Sequence, residues 1–346
     1  MAWLARGMTR TLILGGTAWL GREIAAAAVA RGGEVVCLAR GEAGPVAEGV
    51  RLVRADRRDP TGYDELVGEW DEVVELSSDP ALAGPALRAL AYRASHWTLV
   101  SSVSVYADTA TPEADESAEL VEPVDTSRYA DAKVAAERES AGLVGDRLLV
   151  VRPGLVVGPG DPSDRFGWWP GRMHRGGRVV VPTTEGRWVQ AVDVADLAAF
   201  VERAGREGVV GTVDAVGEPV PLEEVLQEAR VAAAAAAAVA EAVAPGAAPE
   251  LVTVDDATLL DAGVSWWAGP RSLPLWLPLD AGGFVRRSGA AYVAAGGARR
   301  PLRETVARVL ADELARGRDR PRRAGLDPAD EAAVLAAVDA RLAPPA

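Results

Sequence analysis

The sequence predicts an α/β protein built on a doubly wound parallel sheet, with a smaller α/β domain interleaved toward the C-terminus. Three observations carry that expectation. Short apolar runs alternate with helical stretches through the first half of the chain, the rhythm of a parallel sheet covered on both faces. A glycine turn follows the first apolar run at once, and beyond Gly158-Pro159-Gly160 the rhythm breaks.

The elements follow in order. Thr11-Leu12-Ile13-Leu14 reads as the first strand, Gly15-Gly16 as its turn, and Leu20-Gly21-Arg22-Glu23-Ile24 as the start of a helix that runs to Ala30 and stops at Arg31-Gly32-Gly33. Further strands are expected over 34–39, 50–55, 72–76, 97–101 and 147–152, with helices over 81–94 and 128–141. Past residue 160 the sequence suggests strands at 178–181 and 211–215, an Ala-rich helix over 222–243, and tryptophan pairs at 168–169 and 266–267. Asp327-Pro328 starts a terminal helix, aspartate capping the free amides and proline in the first helical position. Its plainest reading is a solvent-facing helix. The expected division is 8–165 with a return segment at about 186–206 for the first domain, 166–326 for the second, and 327–346 for the terminal helix.

At 346 residues, with 49% hydrophobic and 25% charged residues, the chain has the composition of a folded globular protein and the length for two domains. The formal charge of −13 repels nucleic-acid backbones and anionic lipid surfaces, and no basic block offsets it. Cys37 is the single cysteine, so no intramolecular disulfide can form. His96 and His174 are the only imidazoles, too few with one thiol for a zinc cluster. The Ala-rich run at 231–240 is shorter than a bilayer span, and the first eight residues are too short for a signal peptide. A cytoplasmic chain with neither nucleic acid nor membrane as partner is expected. Among the 37 Lys and Arg residues only Lys133 is a lysine, and the chain has no asparagine.

Gly15-Gly16-Thr17-Ala18-Trp19-Leu20-Gly21 lies between a strand and a helix, where small residues let the backbone approach a pyrophosphate and aim helix N-terminal amides at it. A tight turn needs glycine for packing alone, so the parallel sheet behind the loop strengthens the reading. The second strand ends at Leu38-Ala39-Arg40, with no carboxylate to receive ribose hydroxyls. A guanidinium there suits a 2′-phosphate, which favours NADP(H) over NAD(H), although Arg40 is also one of many exposed arginines. Asp56, after the third strand, is placed either to accept from an adenine amino group or to serve as a turn residue.

Tyr129-Ala130-Asp131-Ala132-Lys133 puts tyrosine and lysine at i and i+4, about 6 Å apart along one helical face. An adjacent ammonium favours phenolate and makes the phenol a usable proton donor and acceptor. That the only lysine stands here argues for chemistry rather than chance. The fifth strand runs into Ser101-Ser102-Val103-Ser104-Val105-Tyr106, at the sheet edge where open α/β folds bind ligands. A serine there can hydrogen-bond a carbonyl oxygen, or can merely cap a loop.

With Arg152-Pro153-Gly154-Leu155-Val156-Val157-Gly158-Pro159-Gly160-Asp161, these motifs resemble the extended short-chain dehydrogenase/reductase superfamily, and within it the NAD-dependent epimerase/dehydratase family, over about residues 10–310. The resemblance implies a Rossmann sheet, catalytic Ser102, Tyr129 and Lys133, and a small-molecule substrate in the cleft between the two domains. It also implies cofactor contacts at Gly15, Thr17, Trp19, Leu20, Gly21, Arg40, Asp56, Leu76, Ser77, Tyr129, Lys133, Pro153, Gly154 and Leu155. Gln190-Ala191-Val192-Asp193-Val194-Ala195-Asp196 matches the family's late strand-to-helix segment. Ser104, Trp168 and Trp169 are candidate substrate contacts, and Trp266 and Trp267 candidate walls, although paired tryptophans more often belong to a core. The helices over 81–94 and 128–141 occupy positions that pair in dimeric relatives, which predicts a homodimer.

The chain departs from the family pattern in places. Ala18 replaces the loop's middle glycine, as in atypical members, some of them RNA-associated. Val103 and Ser104 stand where 4,6-dehydratases carry aspartate and glutamate, and the asparagine often used near a sugar diphosphate is missing. The expectation is therefore hydride transfer between a nicotinamide and a carbonyl or alcohol carbon. A sugar-nucleotide epimerase with retained cofactor, a non-catalytic nucleotide-binding regulator and an RNA-associated member are the alternatives. The acidity disfavours the last, and the complete Ser/Tyr/Lys set disfavours the regulator.

Overall fold

The computed structural model describes residues 8–240, 248–317 and 319–342. The chain forms two compact units. The first draws on residues up to Val156, then Ala191–Glu218 and Arg287–Arg299; the second on Val157–Gln190, Pro219–Arg286 and the chain from Arg300. The segment returning to the first unit is thus longer than 186–206, and a third piece joins it that no sequence motif marks.

The first unit is a seven-stranded parallel sheet. Its strands are β1 (Arg10–Leu14), β2 (Glu34–Ala39), β3 (Arg51–Arg54), β4 (Trp70–Glu75), β5 (Ala94–Val100), β6 (Leu148–Pro153) and the strand Gly211–Ala215. From one edge the order is Gly211–Ala215, β6, β5, β4, β1, β2, β3. The order reverses direction beside β1, and ligands bind at such switch points.

Side chains alternate between two buried layers, which is why the strands read as continuous apolar runs. Leu12, Leu14, Val73 and Leu99 pack with Ala86, Leu87 and Leu90 of α2 (Pro80–Leu90) and with Ala136 of α3 (Tyr129–Val144). Ile13, Val74, Val100 and Val151 point the other way, toward Ile24, Ala25 and Ala28 of α1 (Trp19–Ala30) and toward the helix Val194–Glu207. Asp193 caps that last helix, accepting from the Ala195 amide at 2.9 Å. The helix expected over 81–94 ends at Leu90, and Ala94 already belongs to β5. Leu90 is wholly buried, as a helix end seated beneath the sheet requires.

In the second unit, α4 (Arg165–Arg175) packs against the Ala-rich helix Leu222–Ala240 and against the helix Leu302–Arg316. The end of the expected 222–243 helix lies outside the described residues. The strand Gly177–Pro182 pairs in parallel with Pro249–Val254. The terminal helix Pro328–Leu342 is capped as its sequence implies, with the Asp330 amide donating to Asp327 Oδ1 at 2.7 Å. It is not simply solvent-facing. Val334 is buried, and Glu331 takes the Arg172 guanidinium at 2.6 Å in the interior of this unit. Among the described residues no helix is long and apolar enough to cross a membrane.

Candidate active site

The glycine loop closes β1 onto α1 through tight backbone packing. Gly15 has φ of +96°, a conformation open to glycine at little cost. A Cβ on Gly16 would overlap Cys37 Sγ, and one on Gly21 would come within 2.7 Å of the Gly15 carbonyl oxygen. No side chain caps α1 at Ala18, and its first turn carries no acidic residue, so this helix start favours an anion.

Above the loop lies a cavity of about 350 Å³, formed within the first unit. Gly15, Thr17, Arg40, Asp56, Leu76 and Ser77, six of the residues expected to bind cofactor, line it together. Trp19, Leu20 and Gly21 are not in its lining; Gly21 serves the loop's own packing. Pro153, Gly154 and Leu155 stand at the carboxyl end of β6, where the Gly154 amide donates to the Ala215 carbonyl at 3.3 Å. Arg40 is half-exposed and meets Glu42 at 3.0 Å. Asp56 lines the cavity and also serves its turn, accepting from the Arg58 amide at 2.9 Å. The glycine cradle, the uncapped helix start and the guanidinium at the end of β2 fit a nicotinamide dinucleotide.

Sequence reasoning missed the base of this cavity. Arg57 lines it and forms a buried ion pair with Glu75 at the end of β4, while the Ser77 amide donates to Glu75 Oε1 at 2.7 Å. Arg58 also lines it and reaches Asp79 at 2.8 Å. Clustered arginine next to Asp56 was the available signal, hidden by the abundance of arginine elsewhere.

The three residues expected to be catalytic, Ser102, Tyr129 and Lys133, lie past the carboxyl end of β5 and at the start of α3. Lys133 is buried, and its Nζ donates to the Val100 carbonyl at 2.7 Å. The same nitrogen lies 5.7 Å from the centre of the Tyr129 ring. Tyr129 opens α3 with 58% of its surface exposed. Burial pushes the Lys133 ammonium down to about 8, against the opposing pull of the Glu75 and Glu137 carboxylates. Ser102 follows Val100 by two residues. Its Oγ accepts from the Ser104 amide at 3.1 Å and donates to Ser104 Oγ at 3.2 Å. Ser102 therefore caps a short turn, Val103–Val105, and its hydroxyl is held at the sheet edge.

Trp168 lines a cavity of about 330 Å³ within the second unit, none of it formed by the glycine loop, and Trp169 is not in that lining. Both tryptophans are buried in the second unit, in edge-to-face contact at 4.7 Å between ring centres. Their indole N–H groups donate to the carbonyls of Leu326 at 3.2 Å and Pro274 at 2.7 Å. A tryptophan satisfied in this way is a core residue. Trp266, stacked at 3.4 Å on Trp276, and Trp267, edge-on to Phe284, are half-buried in the same unit.

Residues 11–217 match the NAD dependent epimerase/dehydratase family. The chain belongs to that family. The fold of this member is shared with several solved structures. UDP-glucose 4-epimerase from Thermus thermophilus, solved with NAD, is 22% identical, with 89% of this chain and 99% of that one covered and a TM-score of 0.59. UDP-N-acetylglucosamine 4-epimerase from Bacillus cereus is 16% identical, with 90% and 98% covered and a TM-score of 0.64. RMD from Pseudomonas aeruginosa, solved with NADPH, is 20% identical, with 89% and 100% covered and a TM-score of 0.59. No curated protein matches the chain. This family member thus has the fold of a nicotinamide-dependent enzyme, and no helix suited to a membrane among its described residues.

Proposed function

We propose that this family member catalyses reversible hydride transfer between NADP(H) and the carbonyl or alcohol carbon of a small molecule. The observation that carries the reading is the anchoring of Lys133 on the Val100 carbonyl beneath the Tyr129 ring, two residues before Ser102. Bound nicotinamide supplies or accepts the hydride. Ser102 orients the substrate oxygen through its hydroxyl. Tyr129 gives a proton to that oxygen on reduction or takes one on oxidation, and Lys133 favours the phenolate by its charge. Arg40 would receive a 2′-phosphate in exchange for Glu42. The chain is expected to act as a homodimer.

Purified protein supplied with NADPH and pools of ketones and aldehydes should consume the cofactor, and the Tyr129→Phe variant should not. Absence of turnover with every pool, or a fully active Tyr129→Phe, would overturn the assignment.

A second reading, nucleotide-sugar epimerisation, is favoured by two neighbours being UDP-sugar 4-epimerases. It predicts that nicotinamide co-purifies with the protein, that added NADPH is not consumed, and that UDP-sugars interconvert.

A further inference from the structure

The family set of serine, tyrosine and lysine leaves unexplained a group of ionised side chains buried behind it. Tyr129, Lys133 and Glu137 recur every four residues and so share one face of α3. Lys133 and Glu137 are both buried, 5% and 6% exposed. Glu137 receives both arms of Arg152 from β6, Nε on Oε1 at 3.0 Å and Nη2 on Oε2 at 2.7 Å. The third arm of Arg152 donates to Tyr106 Oη at 2.8 Å, and that hydroxyl donates to Asp214 Oδ1 at 2.7 Å. Arg287 closes the row on Asp214 Oδ2 at 2.7 Å and lies over the Tyr106 ring. From the sheet side, Glu75 on β4 is in register with Leu99, next to the Val100 whose carbonyl holds Lys133. Arg57 backs Glu75 as Arg152 backs Glu137.

The charges therefore alternate. Lys133 shares its helix face with Glu137 one turn on and Tyr129 one turn back, and it sits on the Val100 carbonyl of β5, whose neighbour Leu99 is in register with Glu75; both carboxylates act on its ammonium. If Glu137 were absent, two buried cations, Lys133 and Arg152, would be left without the anion common to both, an arrangement strongly disfavoured away from water.

We infer that Glu137, gripped by Arg152, is a positioning residue whose carboxylate keeps Lys133 an ammonium beneath Tyr129, with Glu75 as its counterpart from the sheet. The inference rests on the proposed use of Lys133 as a charged group, and it goes beyond the Ser/Tyr/Lys set in assigning how that charge is held. A purely structural clamp between α3 and β6 would need the Glu137–Arg152 hydrogen bonds and not the negative charge.

Because Lys133 is the only lysine, protein grown with ε-labelled lysine gives one side-chain resonance, and its titration can be followed by NMR without any substrate. In Glu137→Gln, which retains an oxygen for Arg152, the Lys133 midpoint should fall by about one pH unit or more, the size expected for loss of a close counter-charge. Glu75→Gln should lower it as well, and Glu137→Asp should return most of the loss. If Glu137→Gln does not fold, Glu137→Gln combined with Arg152→Gln pairs two neutral amides and serves in its place. That variant also removes the Arg152 cation, which cancels part of the lost attraction, so the Lys133 midpoint should still fall, though by less than in Glu137→Gln, because Glu137 stands one turn from Lys133 on α3. A Lys133 midpoint unmoved in the folded variant would overturn the inference. An active Tyr129→Phe with a shifted Lys133 midpoint would instead overturn the proposed reaction and leave the charge pairing standing.

Discussion

Lysine and arginine do different work in this chain. Arginine cannot release its proton, whereas a buried ammonium can, and the one lysine stands where proton traffic is proposed. Its burial has a consequence for stability. The folded state holds Lys133 at about 8 against an ordinary 10.5, so the ammonium opposes folding in full below about pH 8 and fades as an opponent while pH rises toward 10.5. That gap corresponds to roughly 3 kcal/mol at neutral pH, offset by about 1–3 kcal/mol for a Val100 carbonyl left unpaired when the amine is removed. Lys133→Met should therefore fold as well as wild type or better at pH 7, lose turnover, and lose that relative advantage near pH 10. Denaturant unfolding at the two pH values checks this, and a difference independent of pH would contradict it. The other two members should fail differently. Tyr129→Phe should abolish turnover with NADPH affinity preserved, while Ser102→Ala should lose roughly 10²–10³ in rate as one oxyanion donor disappears. Arg40→Ala should weaken NADPH binding by about 1.5–3 kcal/mol and NADH binding little, as calorimetric titration of both cofactors would report. Equal losses for the two would remove Arg40 from the phosphate site. The Tyr129/Lys133 pair was legible in sequence because i, i+4 spacing is local geometry. The Arg57–Glu75 pair was not, because its partners meet only once β3 and β4 lie in one sheet.

At the scale of elements, the amino edge of the sheet carries its own buried charge pair. His96 of β5 bonds Glu72 of β4 through Nδ1, and its Nε2 reaches the Val209 carbonyl at 2.7 Å, just past the helix Val194–Glu207. A carboxylate and a carbonyl both accept, so the imidazolium, with a proton on each ring nitrogen, is the form that satisfies both contacts. Burial pushes the imidazolium down, but the Glu72 carboxylate and the Val209 carbonyl prevail and His96 is raised above 6.5. Its contribution to stability is complete below pH 6.5 and is lost as pH climbs through the raised value. Wild-type unfolding free energy should accordingly decline over that interval, and His96→Gln should flatten the decline; an unchanged slope in the variant would count against the pair. The strands themselves were readable as apolar runs, those at 34–39 and 211–215 with their exact bounds and the others with ends within three residues. The end of α2 was misplaced because Ala91-Tyr92-Arg93 is good helical sequence that the turn into β5 overrides. The tryptophan pair in α4 was open in sequence between wall and core, since burial is decided by partners such as Pro274 and Leu326 more than a hundred residues on.

For the whole molecule, α2 and α3 pack together on one face of the sheet, and Tyr92 and Val124 near them stand 81% and 79% exposed. Pairing of these helices with a second copy would cover that surface, so light scattering at micromolar concentration should give twice the chain mass; a strict monomer would reject the dimer. The three-part make-up of the first unit bears on how the chain is born. When Val156 leaves the ribosome, six strands are complete, but β6 still lacks its neighbour Gly211–Ala215, and the sheet layer served by Val194–Glu207 lies open. Arg287, which closes Asp214, comes later still. At about 5–20 residues per second, the interval to Arg299 is on the order of ten seconds. For that time a nascent chain displays an unpaired parallel edge and an uncovered apolar face, the two features that recruit chaperones or seed misassembly. The order of synthesis is therefore expected to bear on the yield of folded protein independently of its final stability.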